Sequence, residues 1–107
     1  MDISDSGYWM INKLWVKRFG LKETLFIQHL LDIKKILKDQ NLILEDDSFF
    51  FQQERIKEDL GFSISTQLTI INFFKSLQIL EVNKKGLPAK NYYKINISKL
   101  EEEIKNG

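Results

Sequence analysis

Apolar residues recur at helical spacing in several stretches and run as strands between and after them, which predicts a mixed helix-and-sheet chain. Over residues 21–38, Phe26, Leu30, Ile33 and Leu37 share one arc, flanked by Ile27. Leu21, Leu25 and Ile36 fall outside it, so the spacing predicts a helix buried on more than one side. Residues 52–60 form a shorter helix with Ile56 and Leu60 on its inner face. Gly61 supplies a left-handed turn after it. The next helix, residues 65–78, places Ile70, Ile71, Phe74 and Leu77 on one side and Ser65, Thr69, Asn72 and Ser76 on the other. Residues 79–82 then alternate as a strand, and residues 91–97 return. The loop between them holds Gly86 and Pro88 as turn residues.

The flanks follow the same logic. Residues 8–11 are a short apolar run with the look of an edge strand. Asn12 caps a helix over Lys13–Phe19, which Gly20 ends. Lys34, Lys35 and Lys38 complement the dipole at the end of the long helix. Asp46 and Asp47 mark a turn, and Phe49, Phe50 and Phe51 a short strand. Ser65 is the expected cap of the polar-striped helix, and Ser98 that of a final helix over residues 99–105. No repeat, low-complexity tract or linker interrupts residues 1–107, which predicts a single domain.

Charge changes the picture more than composition does. The net charge is +1, yet residues 75–99 carry six lysines against Glu81 alone, a local +5. Residues 39–59 carry seven acids against Arg55 and Lys57, a local −5. A basic patch and an acidic one therefore sit inside a near-neutral whole. The absence of cysteine excludes disulfides and thiolate metal sites and fits a cytoplasmic location. The acidic start is unlike a secretory signal, and no apolar run is long enough to span a bilayer.

Enzymatic chemistry finds no support. His29 sits mid-helix among apolar residues and reads as a packing residue. Asp46 with Asp47, and Glu101 to Glu103, are neighbours in sequence and do not converge on one point. No phosphate-cradling glycine motif occurs. No cofactor or metal is expected.

Helix, tight turn, polar-striped helix and lysine-bearing hairpin follow in the order of a winged helix-turn-helix. Ser65-Thr66-Gln67, Ile79-Leu80-Glu81, and Lys85 to Lys90 followed by Tyr92-Tyr93-Lys94-Ile95 carry a closer likeness. Phe19 to Glu23 and Phe49 to Gln52 extend it upstream. The chain resembles the winged-helix domains of small replication and regulatory proteins from phages and plasmids of Gram-positive hosts. The resemblance implies an α+β fold: a three-helix core, a two- to three-stranded β-wing over residues 79–97, and a short C-terminal helix. It departs from those relatives at Thr69 and Asn72, where they often carry Arg or Lys, and at Gln78, where they commonly carry glycine.

That reading implies double-stranded DNA as the partner. Ser65 and Thr66 at the helix start would meet phosphate or base edges. Thr69 and Asn72 are the preferred base-reading pair. Gln67 either contacts adenine through its amide or, as its wheel position toward the apolar side implies, packs under the turn. Lys84, Lys85 and Lys90 are the expected phosphate contacts. So few cations imply two copies, a homodimer on paired half-sites, with the segment of Tyr8, Trp9 and Trp15 or Ile104 as candidate dimer surfaces, while core packing is the favoured reading of Trp9 and Trp15. The role would lie in replication initiation, segregation or transcriptional control. The competing expectation is a module that binds a replication, partition or host protein through Leu68 and Phe73.

Overall fold

The computed structural model describes residues 10–106. Asn12 opens its first helix, α1 (Lys13–Phe19), by accepting the Leu14 and Trp15 amides at 2.9 and 3.2 Å. Gly20, at φ 108°, turns the chain directly into α2 (Leu21–Asp39). There follow β1 (Phe49–Phe50), α3 (Gln53–Leu60), α4 (Ile64–Ser76), β2 (Leu80–Lys85), β3 (Lys90–Ile95) and α5 (Ile97–Asn106). The described chain is thus α+β, with five helices and one three-stranded antiparallel sheet of order β1-β3-β2. No helix among the described residues is long and apolar enough to cross a membrane.

Several boundaries differ from expectation, each for a local reason. Ser63, not Ser65, caps α4: its hydroxyl accepts the Thr66 amide at 3.1 Å and donates to Thr66 Oγ1 at 3.0 Å. Ser65 lies inside the first turn. Asn96, not Ser98, caps α5 by accepting the Lys99 amide at 3.0 Å. The hairpin ladder continues through Lys85 paired with Lys90, which shrinks the loop to residues 86–89. Phe51 leaves the strand but stays buried, its ring stacked on Tyr93 at 4.2 Å. Tyr8 and Trp9 lie outside the described residues, and Met10 and Ile11 are in no strand.

One cluster of buried side chains joins all the layers. It draws Phe26, Ile27 and Leu30 from α2, Ile56 from α3, Ile70, Ile71 and Phe74 from α4, and Phe49, Leu80, Tyr93 and Ile95 from the sheet. The expectation that α2 is buried on more than one side fails at Leu21 and at Ile36, which is 57% exposed. Beyond Leu30 the helix keeps only a half-buried stripe, Leu31, Ile33 and Leu37, against the core. Trp15 and Ile104 are both half-buried and pack against this cluster. Arg18 of α1 pairs with Glu103 of α5, and Lys99 reaches the same carboxylate at 3.0 Å. Lys99 first and then Arg18 hold the Glu103 carboxyl below its ordinary range. His29 Nε2 stands 3.3 Å from Asp59 Oδ2 and links α2 to α3.

Gln78 adopts φ 62° between α4 and β2. This left-handed geometry costs a side-chain-bearing residue about 1–2 kcal/mol. Gln78 therefore performs the sharp reversal that a glycine performs at lower cost.

Candidate nucleic-acid interface

The turn between α3 and α4 occupies residues 61–63, with Gly61 left-handed at φ 75°. Gln67 secures it. The side chain is fully buried, and its Nε2 donates to the carbonyls of Gln53 and Phe62, both at 3.0 Å. Gln67 is therefore withdrawn from the contact surface, as its place on the apolar side of the helix foreshadowed. Gln67→Ala would strand two carbonyls in a partly buried turn, and a loss of about 2–3 kcal/mol is expected in a urea melt. Gln67→Glu should do at least as much damage, because a carboxylate offers acceptors to acceptors.

Outward from that lock, α4 presents Ser65, Thr69, Asn72 and Ser76 as one exposed polar stripe. Thr69 donates back to the Ser65 carbonyl at 3.2 Å, and Ser76 to that of Phe73 at 2.6 Å. The Asn72 amide has no partner among the described residues. Thr66 is half-buried and engaged with Ser63. It lines a cleft of about 410 Å³ with Ser65, Thr69, Lys22 and Glu23 over a floor of Phe19, Ile70 and Phe73. Phe73, expected at an exposed edge, packs on the rings of Phe19 and Phe74. Leu68, 47% exposed, is the apolar side chain that α4 leaves open.

Strand alternation separates the three hairpin lysines. Lys84 stands opposite Asn91, in phase with the core pairs Val82–Tyr93 and Leu80–Ile95, so it extends the helix-facing side of the ribbon. Asn91 lines a cleft with Ile64, the first residue of α4, which places that side of the hairpin beside the helix start. Lys85 and Lys90 pair on the other side. There Lys85 is bound to Asp46, and Lys90 lies 4.9 Å from the centre of the Phe50 ring. Lys85 is thus a bracing residue. Lys84 has no ion-pair or hydrogen-bond partner among the described residues.

The bracing extends into the acidic connection before β1. Lys85 first, then Ser48, holds the Asp46 carboxyl well below the usual carboxylate range. A depressed acid contributes stability above its ordinary pKa and loses that contribution only as pH falls below it. The brace is therefore intact at neutral pH. Asp47 is bound by Lys34 of α2 at 2.6 Å. Part of the acidic patch is in this way spent on holding the turn end of the hairpin and α2.

Three residues that the sequence reading omitted lie near the polar stripe or on the helix-facing side of the hairpin. Lys75 follows Asn72 by one helical turn, exposed on the flank toward the sheet, and a helical wheel could have found it. Asn91 follows from counting the ladder back from the four-residue turn. Lys22 reaches the stripe only because α2 crosses α4, which no local pattern encodes. Compared with protein-family profiles, characterised proteins and solved structures, the chain matches none.

Proposed function

We propose that this chain binds double-stranded DNA as a winged helix-turn-helix, with α4 entering the major groove and the β2–β3 hairpin acting as the wing. The element order and the sheet order β1-β3-β2 support that reading. The observation that carries it is the α4 stripe, exposed and uncharged, with Lys22 lining the same cleft, Lys75 one helical turn beyond Asn72, and Lys84 on the helix-facing side of the hairpin. Short polar side chains in such a stripe read base edges, and surrounding lysines hold phosphates. The Arg or Lys often found in the helices that α4 resembles would be replaced by Lys75 near its end and by Lys22 and Lys84 from neighbouring elements. Replication initiation, segregation or transcriptional control of a phage or plasmid is the role that follows from the resemblance.

Three phosphate contacts correspond to a slope of about −3 in log affinity against log salt, which is weak for one copy. Two copies acting on paired half-sites remedy this. Exposed Ile36, Leu42 and Leu44 offer a second copy apolar surface to bury. Ile36 lies about 21 Å along α2 from Lys22, so pairing there leaves α4 clear. The test is a fluorescence-anisotropy titration against duplexes enriched from a random pool, repeated across salt. Lys84→Ala should weaken every duplex alike and flatten the slope by about 1 per bound copy. Lys85→Ala should do less, since Asp46 already engages that ammonium. Enrichment of no duplex, or salt slopes indifferent to Lys84, would refute the reading. A protein partner seated on exposed Leu68 is the second reading; nuclease-resistant co-purification abolished by Leu68→Asp would favour it.

A further inference from the structure

Leu87 is the most exposed large apolar side chain among the described residues, fully open to solvent at the apex of the hairpin. It contributes nothing to the core. The hairpin that carries it is built to project. The last core pair of the ladder is Val82–Tyr93, and three further pairs follow, ending at Lys85–Lys90. At the usual strand rise that is about 10 Å of ribbon beyond the core, before the four-residue tip. The tip end of the ladder is braced on one side by the Lys85–Asp46 pair and by Lys90 over Phe50, whose ring lies 6.1 Å from that of Tyr92, so the four-residue turn is carried on a fixed base. The two strands carry Lys84, Lys85, Lys90 and Lys94 against Glu81, and Lys84 has no ion-pair partner among the described residues. A braced ribbon thus presents one bare aliphatic side chain at its end, and Asn91, the partner of Lys84 in the ladder, shares a cleft with Ile64 at the start of α4.

We propose that Leu87 is a wedge: while α4 lies in the major groove, the hairpin tip enters the adjacent minor groove and Leu87 inserts between two base pairs, unstacking them and bending the duplex. This deepens the DNA-binding reading and rests on it. The minor groove, about 6 Å wide, admits a hairpin tip edge-on but not a helix. Apolar side chains inserted there unstack a step and kink the helix toward the major groove, wrapping more DNA onto the protein. The lysines neutralise the phosphates that the bend crowds together. The energetic cost of unstacking falls on pyrimidine–purine steps most lightly, so the wedge selects TA and CA steps at a position with no hydrogen-bonded readout. A lipid surface is a poor alternative occupant, because a single leucine buries too few methylenes to anchor a protein.

The experiment uses the full chain and a duplex enriched from a random pool, with 2-aminopurine scanned across the site and dyes at its ends. Wild-type protein should raise 2-aminopurine fluorescence severalfold at one step and shorten the end-to-end distance. Leu87→Met should keep both signals. Leu87→Ala and Leu87→Ser, which alter no packed atom, should abolish both and weaken binding about tenfold. A mismatch placed at the step should restore most of the lost affinity, because the unstacking is then already done. Tight binding by Leu87→Ala with unchanged fluorescence and bend overturns the wedge and leaves the DNA-binding reading standing. Enrichment of no duplex overturns both, as does Leu87-dependent binding to anionic vesicles without any DNA binding.

Discussion

Phe74→Ala is expected to lower the unfolding free energy by about 3–5 kcal/mol, the range for removing a large aromatic from a packed core. Phe74 is fully buried near the middle of the cluster. Its ring meets Phe19 edge-on at 5.3 Å and Phe73 at 5.2 Å, so it joins α4 to the end of α1. Its carbonyl also accepts the Ile79 amide at 3.0 Å, just where the chain reverses into β2. Alanine would leave a cavity between elements with little freedom to collapse, because α1 is pinned at its other side by Arg18 to Glu103. A domain of this size commonly holds about 5–15 kcal/mol in total, so the variant should be close to unfolded. Urea denaturation followed by far-UV circular dichroism measures it. A loss below about 1 kcal/mol would mean that Phe74 is not in the packed position described.

Asn72→Ala is expected to leave stability within about 0.5 kcal/mol, because the residue is exposed and has no partner within the described chain. Its effect should fall on DNA. An amide that pairs with a base edge contributes about 1–3 kcal/mol of discrimination. The preference for a selected duplex over a scrambled one should therefore drop by roughly 5- to 150-fold, while binding to the scrambled one changes little. The two quantities separate a base contact from a phosphate contact, which Lys84 represents. Equal losses on both duplexes would reassign Asn72 to the backbone. No change on either would remove it from the interface. Thr69→Ala is a milder companion, since part of the Thr69 hydroxyl is already spent on the Ser65 carbonyl.

The elements that local chemistry dictates were legible in the sequence. Asn12 at a cap, Gly61 in a left-handed turn and the outward stripe of α4 all fell where periodicity and turn preference put them. Capping was misread where two candidates stood two residues apart. Ser63 and Ser65 are chemically alike, and only the phase of Gln67 toward the turn decides between them. Asn96 beat Ser98 in the same way, because β3 stops at Ile95 and the chain turns at once.

What stayed hidden depends on contacts between distant residues. Lys85 looked equivalent to Lys84, yet Asp46 claims it from 39 residues away. Alternation alone puts the two neighbours on opposite sides of a strand, but which side faces α4 follows from the register with β3. Glu103 and Arg18 meet across 85 residues, a pairing with no local trace. That Ile104 packs on the core was equally hidden, because a short amphipathic helix does not reveal what lies beneath it.

Strand β2 forms one border of the sheet, and among the described residues nothing pairs with its outer backbone. Along its six residues, the alternate amides and carbonyls that face outward would ordinarily invite a strand from another molecule. Lys84 and Lys85, side by side at the end of that border, oblige any incoming strand to strip water from adjacent ammonium groups. These two side chains thereby guard the protein against fibrous self-association.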